Sequence, residues 1–364
     1  MRLARRLTER DRSILRAVAR HRVLTSDQLA QMFFDTKKRT QVRLSTLHRL
    51  GLLDRFQPHR PNWGGVCYHY VIGPLGASVL AAEAGSDAER AARRWKADRT
   101  LALAQSQRLA HLLGVNAFYA SLVGHARRHE GTRLVAWMTE AECATWTEGI
   151  VRPDAFGEWR EHGGTAQLRS GDRGTTRTCQ EAGNCSGSLA RWAPGGRDEP
   201  PLPEDRGGQT CSSKTLSTVE FFLEYDRGTE TLARLVDKLA GYERLEAERG
   251  ASSWVLFVLS SPRREATARR ALAGATVPIA TTVLAGALAT TTAPAATAHL
   301  SGPIAACEAV WLPLGSHGPR VRLVALGGVA KPTEALRRAA AGGPRAWRFE
   351  RSRTDEEEAP IDTS

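Results

Sequence analysis

Residues 219–242 read VEFFLEYDRGTETLARLVDKLAGY, and this stretch decides the fold. Phe221, Phe222 and Leu223 are consecutive large apolar side chains, as in a buried strand, and Gly228 closes the run. Strand side chains alternate between faces, so Glu224 and Asp226 share one side while Leu223 and Tyr225 take the other. Leu232, Leu235, Val236, Leu239 and Tyr242 then recur at helical spacing, with Thr229 expected as the N-cap. Two carboxylates at the end of a buried strand are costly unless they are paired or hold a cation. A metal site and ion pairs with Arg227 and Lys238 both satisfy that requirement, and the residues alone leave the two open.

Outward from this stretch, residues 133–138, 150–159 and 254–260 read as further strands, the second carrying Arg152, Pro153 and Asp154. Residues 101–128 and 263–273 read as helices. In the first of these, Leu109, Leu112, Leu113, Phe118, Tyr119 and Leu122 make an apolar side, and His111 within it is expected to be a packed or capping histidine. The order helix, strand, strand, strand, helix, strand, helix predicts a mixed α/β (α+β) core. Residues 167–215 show no sustained periodicity where a short hairpin turn would serve, and are expected to be a disordered insertion. Residues 274–303 form an Ala/Thr tract.

Residues 8–80 carry a different pattern. A first helix over 8–20 buries Ile14, Leu15 and Val18. A second opens on the capping box Thr25-Ser26-Asp27-Gln28, with Leu24 and Leu29 placed to staple it. A third, over 37–50, directs Leu44, Leu47 and Leu50 inward, and its opposite face carries Lys38, Gln41, Ser45 and Arg49 with Val42 among them. Two strands, over 52–56 and 66–72, flank a turn-rich segment containing Arg60. These features predict a winged helix-turn-helix whose third helix and wing meet double-stranded DNA. The domain organisation expected is therefore 1–85 winged helix, 86–130 helical connector, 131–330 α/β core interrupted by 167–215, and 331–364 flexible tail.

Composition agrees with a polyanionic partner. The 364-residue chain carries 51 Lys and Arg against 39 Asp and Glu, a formal net charge of +12. Residues 1–60 alone hold 15 basic against 5 acidic side chains, so most of the excess sits at the N-terminus. The most apolar long run, residues 277–289, contains Pro278, Thr281 and Thr282 and is not read as membrane-spanning. No signal peptide is legible, and six scattered cysteines suit a reducing, cytoplasmic setting. Cys179, Cys185 and Cys211 lack a CxxC pair, so they carry little zinc signal. The run from Gly208 to Thr215 approaches a phosphate loop, but Ser213 replaces the second glycine and no strand precedes it.

Two blocks together resemble the replication-relaxation family of plasmid and mobile-element proteins. The first is LTERDRSILRAVARHRVLTSDQLAQMFF, continuing through RLSTLHRLGLLDRF to YHYVIGPLGASVL; the second is RPDAF followed by FFLEYDRGTETLARLVDKLAGY. The resemblance implies plasmid replication and DNA relaxation, and a kinship with mobilisation relaxases that join a winged helix to a restriction-endonuclease-like core. The second block also resembles the PD-(D/E)xK nuclease pattern. There an Asp and a Glu on neighbouring strands hold Mg²⁺ while a Lys serves the attacking water. The resemblance places Asp154 and Glu224 as the metal ligands. Asp226 stands where the pattern has lysine, and Lys238, about 12 Å along the following helix, is the substitute. Glu140 or Glu142 would add a further ligand. No His-x-His pair is present to hold the metal of a tyrosine relaxase, so Tyr225 and Tyr242 are expected to pack. Two functions follow: a metal-dependent DNA nicking or relaxing enzyme with catalytic residues Asp154, Glu224, Asp226 and Lys238, or a non-enzymatic DNA-binding regulator or replication accessory factor on a degenerate nuclease core.

Overall fold

Capping chemistry sets the first three helices. The computed structural model describes residues 7–57, 67–86, 102–162, 216–250, 252–283 and 305–329. Arg60, the expected insertion at 167–215, much of the Ala/Thr tract and the expected tail at 331–364 lie outside the described residues. Helix α1 (Glu9–His21) begins at a reciprocal box between Thr8 and Asp11, and α2 (Ser26–Phe33), after the two-residue strand β1 (Leu24–Thr25), at the box between Thr25 and Gln28. Both boxes satisfy backbone N–H groups that the first helical turn leaves open. Helix α3 (Lys37–Arg49) is capped by Thr36. Strands β2 (Leu53–Phe56) and β3 (His69–Ile72) and helix α4 (Pro74–Glu83) follow. The small sheet runs β1-β3-β2, antiparallel throughout, with Leu53 opposite Ile72 and Leu24 opposite Tyr70.

Ile14, Leu15, Val18, Leu29, Leu44, Leu47 and Leu52 form the core beneath these elements. Leu50, expected to point inward, is 38% exposed. Helix α3 ends at Arg49, so Leu50 is a cap residue that has left the buried stripe. Asp11, fully buried, accepts hydrogen bonds from the Arg43 guanidinium of α3, which fixes α3 against α1. Burial would raise this carboxyl, but the bonds from Arg43 and Thr8 hold it below the usual carboxylate range.

The second half is a six-stranded mixed sheet in the order β4-β5-β6-β7-β8-β9. Helix α5 (Leu109–Arg128) leads into β4 (Thr132–Thr139), α6 (Glu140–Trp146) and β5 (Ala155–His162). Then come β6 (Leu216–Asp226), α7 (Leu232–Arg249), β7 (Trp254–Leu259), α8 (Pro262–Ala271), β8 (Ile279–Thr282) and β9 (Leu312–Pro313). Strand β4 is antiparallel to β5, whereas β6, β7 and β8 run parallel and β9 is antiparallel to β8. The alternation expected in β6 is observed. Val219, Phe221, Leu223 and Tyr225 join Val115, Phe118 and Leu122 of α5 in one apolar layer. Phe222 joins Leu235, Leu239 and Tyr242 of α7 and Ala268 of α8 in the other.

Strands β1, β8 and β9 and helix α6 go beyond the sequence reading. Strand β8 lies within the Ala/Thr tract, where Ile279, Ala280, Thr281 and Thr282 are all buried. The N-cap of α7 is Thr231 rather than Thr229; its Oγ1 accepts the Arg234 amide, two residues later than expected because a turn at Gly228 intervenes. Among the described residues no helix is long and apolar enough to cross a membrane.

Helix α5 serves both halves. Ala120 is buried in the N-terminal core, with Tyr119 and Val123 packed against it, while Phe118 and Leu122 are buried against the large sheet. The Asn116 amide donates to the carbonyls of His21 and Val23, and its Oδ1 lies 3.0 Å from His21 Nδ1. Gln28 donates to the Leu113 carbonyl at 2.9 Å, and Arg20 reaches Glu142 and the Trp137 carbonyl.

Gly76, buried in α4, shows how tightly the small sheet is closed. A Cβ there would lie 2.1 Å from the Leu52 carbonyl oxygen, which is backbone and cannot swing aside. Gly76→Ala is expected to destabilise by about 1–3 kcal/mol from overpacking, in spite of a helix-propensity gain of about 1 kcal/mol. A lowered urea midpoint would register this; an unchanged or raised midpoint would mean that α4 can ride away from β2.

Candidate functional site

The strand-to-helix unit that opened the sequence places its own charged residues together. Glu224 lies on the α7 face of β6 and is 1% exposed. Helix α7 packs on the strand that precedes it, so Lys238 and Tyr242, one turn apart on one helical face, both reach that carboxylate. Lys238 Nζ donates to Oε2 at 2.7 Å and Tyr242 Oη donates to Oε1 at 2.6 Å. Lys238 also lies 3.2 Å from Glu230. Burial, and then the charge of Asp154, push the Glu224 carboxyl up to about 7, against the pull of Lys238 and Tyr242. Burial alone would lower Lys238, but Glu224 raises it and keeps it a cation.

Asp154 sits immediately before β5, where its backbone N–H donates to the Leu223 carbonyl at 3.0 Å. Its Oδ2 accepts the Tyr225 amide at 2.7 Å, and its Oδ1 lies 2.9 Å from His111 Nε2 on α5. The carboxylate thereby terminates the β5–β6 ladder while remaining within electrostatic reach of Glu224. Burial depresses His111, but the bond to Asp154, with Glu140 nearby, outweighs it and raises the ring above its ordinary value. His111 thus does more than pack or cap. Its imidazole stands edge-on to Tyr225, with ring centroids 5.8 Å apart. Tyr225 itself lies against Gly114, where a Cβ would fall 2.3 Å from its ring. A lone histidine in an apolar helical stripe carries no sequence signal of its partner, because Asp154 is distant in the chain.

The remaining expected site residues divide. Asp226 is engaged elsewhere: Arg264 Nε of α8 donates to it at 2.7 Å and the Gly228 amide at 2.7 Å. Its partner is Arg264, not the neighbouring Arg227. Glu142 is spent on the capping box of α6 and on Arg20, whereas Glu140 stays close enough to influence His111. Asp154, Glu224 and Lys238 are therefore brought together, with His111 and Tyr242 as additional members, and Asp226 belongs to a separate ion pair.

On the N-terminal half, Lys38, Gln41 and Arg49 are exposed along α3 and Ser45 is half-buried. Val42 is 63% exposed among them. A groove of about 730 Å³ opens beside this face, lined by Arg10, Phe34, Lys38, Arg39 and Val42, among others. Arg43, on the same helix, is turned to Asp11 and contributes to packing rather than to the free basic face.

The position of Glu224 makes stability depend on pH. Its folded-state carboxyl, at about 7, lies above the ordinary 4.5. The stabilisation this gives is complete below the lower value and is lost as pH rises through the higher one. Glu224→Gln, neutral throughout, removes that dependence. Urea unfolding between about pH 5 and pH 8 should show the wild type losing ground to the variant across neutrality. Parallel curves would mean that Glu224 ionises alike in the folded and unfolded chain.

The chain matches the family model for replication-relaxation over residues 15–194 and 202–253. No curated protein and no solved structure matches it. The match begins within α1 and takes in α2, α3 and the β6–α7 unit that carries Glu224 and Lys238, and the chain belongs to the replication-relaxation family.

Proposed function

We propose that this protein binds double-stranded DNA through its N-terminal half, read as a winged helix, and nicks it at the Asp154–Glu224–Lys238 cluster. A role connected with replication follows from the family; the DNA contact and the chemistry are the proposal. The observation that carries it is the convergence of two carboxylates, Asp154 just before β5 and Glu224 on β6, with one lysine. Asp154 raises Glu224, and Lys238 is held 2.7 Å from the same carboxylate.

The donors fit a hard cation. Asp154 and Glu224, with Glu140 near, offer carboxylate oxygens, and the repulsion between the first two is what a divalent ion relieves. Mg²⁺ bound there would supply charge neutralisation at the scissile phosphate and acidify a water molecule. The chain's own residues hold the arrangement. His111 and the Tyr225 amide fix the Asp154 carboxylate, Tyr242 fixes Glu224, and Lys238 presents an ammonium beside the cluster. The mixed sheet, with a helix before three strands and a crossover helix before the next parallel strand, supports a restriction-endonuclease-like core.

A second reading rests on a specific contact. Lys238 and Tyr242 already satisfy both oxygens of Glu224, as a non-enzymatic replication accessory factor or regulator built on the same scaffold would require. Incubating supercoiled plasmid with the protein in Mg²⁺ or EDTA separates the two. The nicking reading expects Mg²⁺-dependent open circles, lost in Glu224→Gln and Asp154→Asn while DNA binding persists. An inactive wild type that still binds DNA would leave the accessory reading standing.

DNA binding has its own check. If α3 and its surroundings neutralise about five phosphates, log K should fall against log salt with a slope of roughly −4 to −5. Lys38→Ala and Arg49→Ala, both exposed on α3, should weaken binding and flatten that slope. Affinity that ignores both substitutions would remove α3 from the interface.

A further inference from the structure

Away from the cluster above, α5 meets the segment that precedes β9. His125 lies near the C-terminal end of α5, and Ser121, one turn earlier on the same face, accepts the Ala306 amide at 3.2 Å. Trp311 Nε1 donates to the Ala306 carbonyl at 2.7 Å, and the Leu323 amide to the Cys307 carbonyl at 3.1 Å. The backbone that presents Cys307 and Glu308 is therefore pinned from three sides. His125, Cys307 and Glu308 each bring one ligand atom to within 4.8 Å of the other two. His125 Nδ1 lies 3.6 Å from Glu308 Oε1, longer than a hydrogen bond.

We propose that His125, Cys307 and Glu308 form a zinc site that ties the segment before β9 to α5. The donor set selects the metal. One imidazole nitrogen, one thiol sulfur and one carboxylate oxygen suit Zn²⁺, whereas Mg²⁺ takes oxygen ligands. Cys307 is fully buried and His125 nearly so, while the Glu308 side chain is 45% exposed, which gives the ion an entry on the carboxylate side. Arg322 is the competing cation. It lies 3.9 Å from Glu308 but 3.3 Å from Glu161, so the ion displaces it from its weaker partner. His129 stacks on His125 at 3.9 Å between ring centroids, and its Nδ1 donates to the His125 carbonyl at 3.0 Å, which restrains the ligand ring. Three protein ligands leave the fourth tetrahedral position to water. On binding, the Cys307 thiol gives its proton to solvent as sulfur bonds the metal.

The site is independent of the proposed nicking chemistry, and its test needs no DNA. The full chain is prepared with Cys179, Cys185 and Cys211 changed to Ser, so that thiols outside the described residues do not bind metal. After equilibration with Zn²⁺ and dialysis it should retain about one ion per chain. Titration with Co²⁺ should give thiolate-to-metal charge-transfer absorption, and Zn²⁺ should raise Tm. Cys307→Ser should abolish the absorption and the Tm shift. Glu308→Gln, at an exposed position that threatens folding least, should weaken Zn²⁺ retention at least about tenfold. Failure of the parent chain to retain zinc overturns the proposal, as does retention undiminished by Cys307→Ser.

Discussion

Glu224 is a carboxylate with almost no access to water, and the way its charge is met governs how the second half of the chain is put together. Leaving it unpaired in the sheet interior would cost several kcal/mol. Lys238 and Tyr242 meet it from α7, which requires the helix to lie over the strand it has just left, at a fixed rotation. That placement delivers Leu235 and Leu239 to Phe222, and sends the chain on to β7 parallel to β6. The same contact that orients the crossover also organises the candidate site, so both depend on one side chain.

Much of this was legible because it is local. The capping box that opens α2, the apolar stripes of α1 to α3, and the alternation in β6 each depend on residues a few positions apart. The Asp154–Glu224–Lys238 grouping came from a resemblance, since neither spacing nor periodicity relates Asp154 to Glu224. What escaped depends on distant partners. His111 acquires its role only when β5 brings Asp154 beside α5. For Asp226 the residues leave a metal and an ion pair with Arg227 or Lys238 open, whereas its partner, Arg264, comes from α8, 38 residues along the chain. Strand β8 was hidden by its Ala and Thr content, because its burial comes from β7 and β9 rather than from its own hydrophobicity. Leu50 was misplaced by a boundary of one residue at a helix end, where wheel geometry stops applying.

The charged residues sort by what they face. Arg43 and Arg264 are both held by buried carboxylates and belong to the architecture. Lys38 and Arg49 have no such claim and lie open on α3. A basic composition is thus not a uniform property of the surface. On α3 the exposed Lys37, Lys38, Arg39 and Arg49 stand apart from Arg43, whose charge is taken up by Asp11.

Helix α5 sends side chains into both hydrophobic cores, with Ala120 on one side and Phe118 and Leu122 on the other. The N-terminal half is therefore not a detachable module. Cut away from α5, it would bare the apolar flank of α2 and leave the carbonyls of His21 and Val23 without the Asn116 amide. Heat or denaturant acting on either core strips the other of part of its cover, which couples the two into one cooperative melting unit. Exchange of the N-terminal half between relatives would need this helix to travel with it.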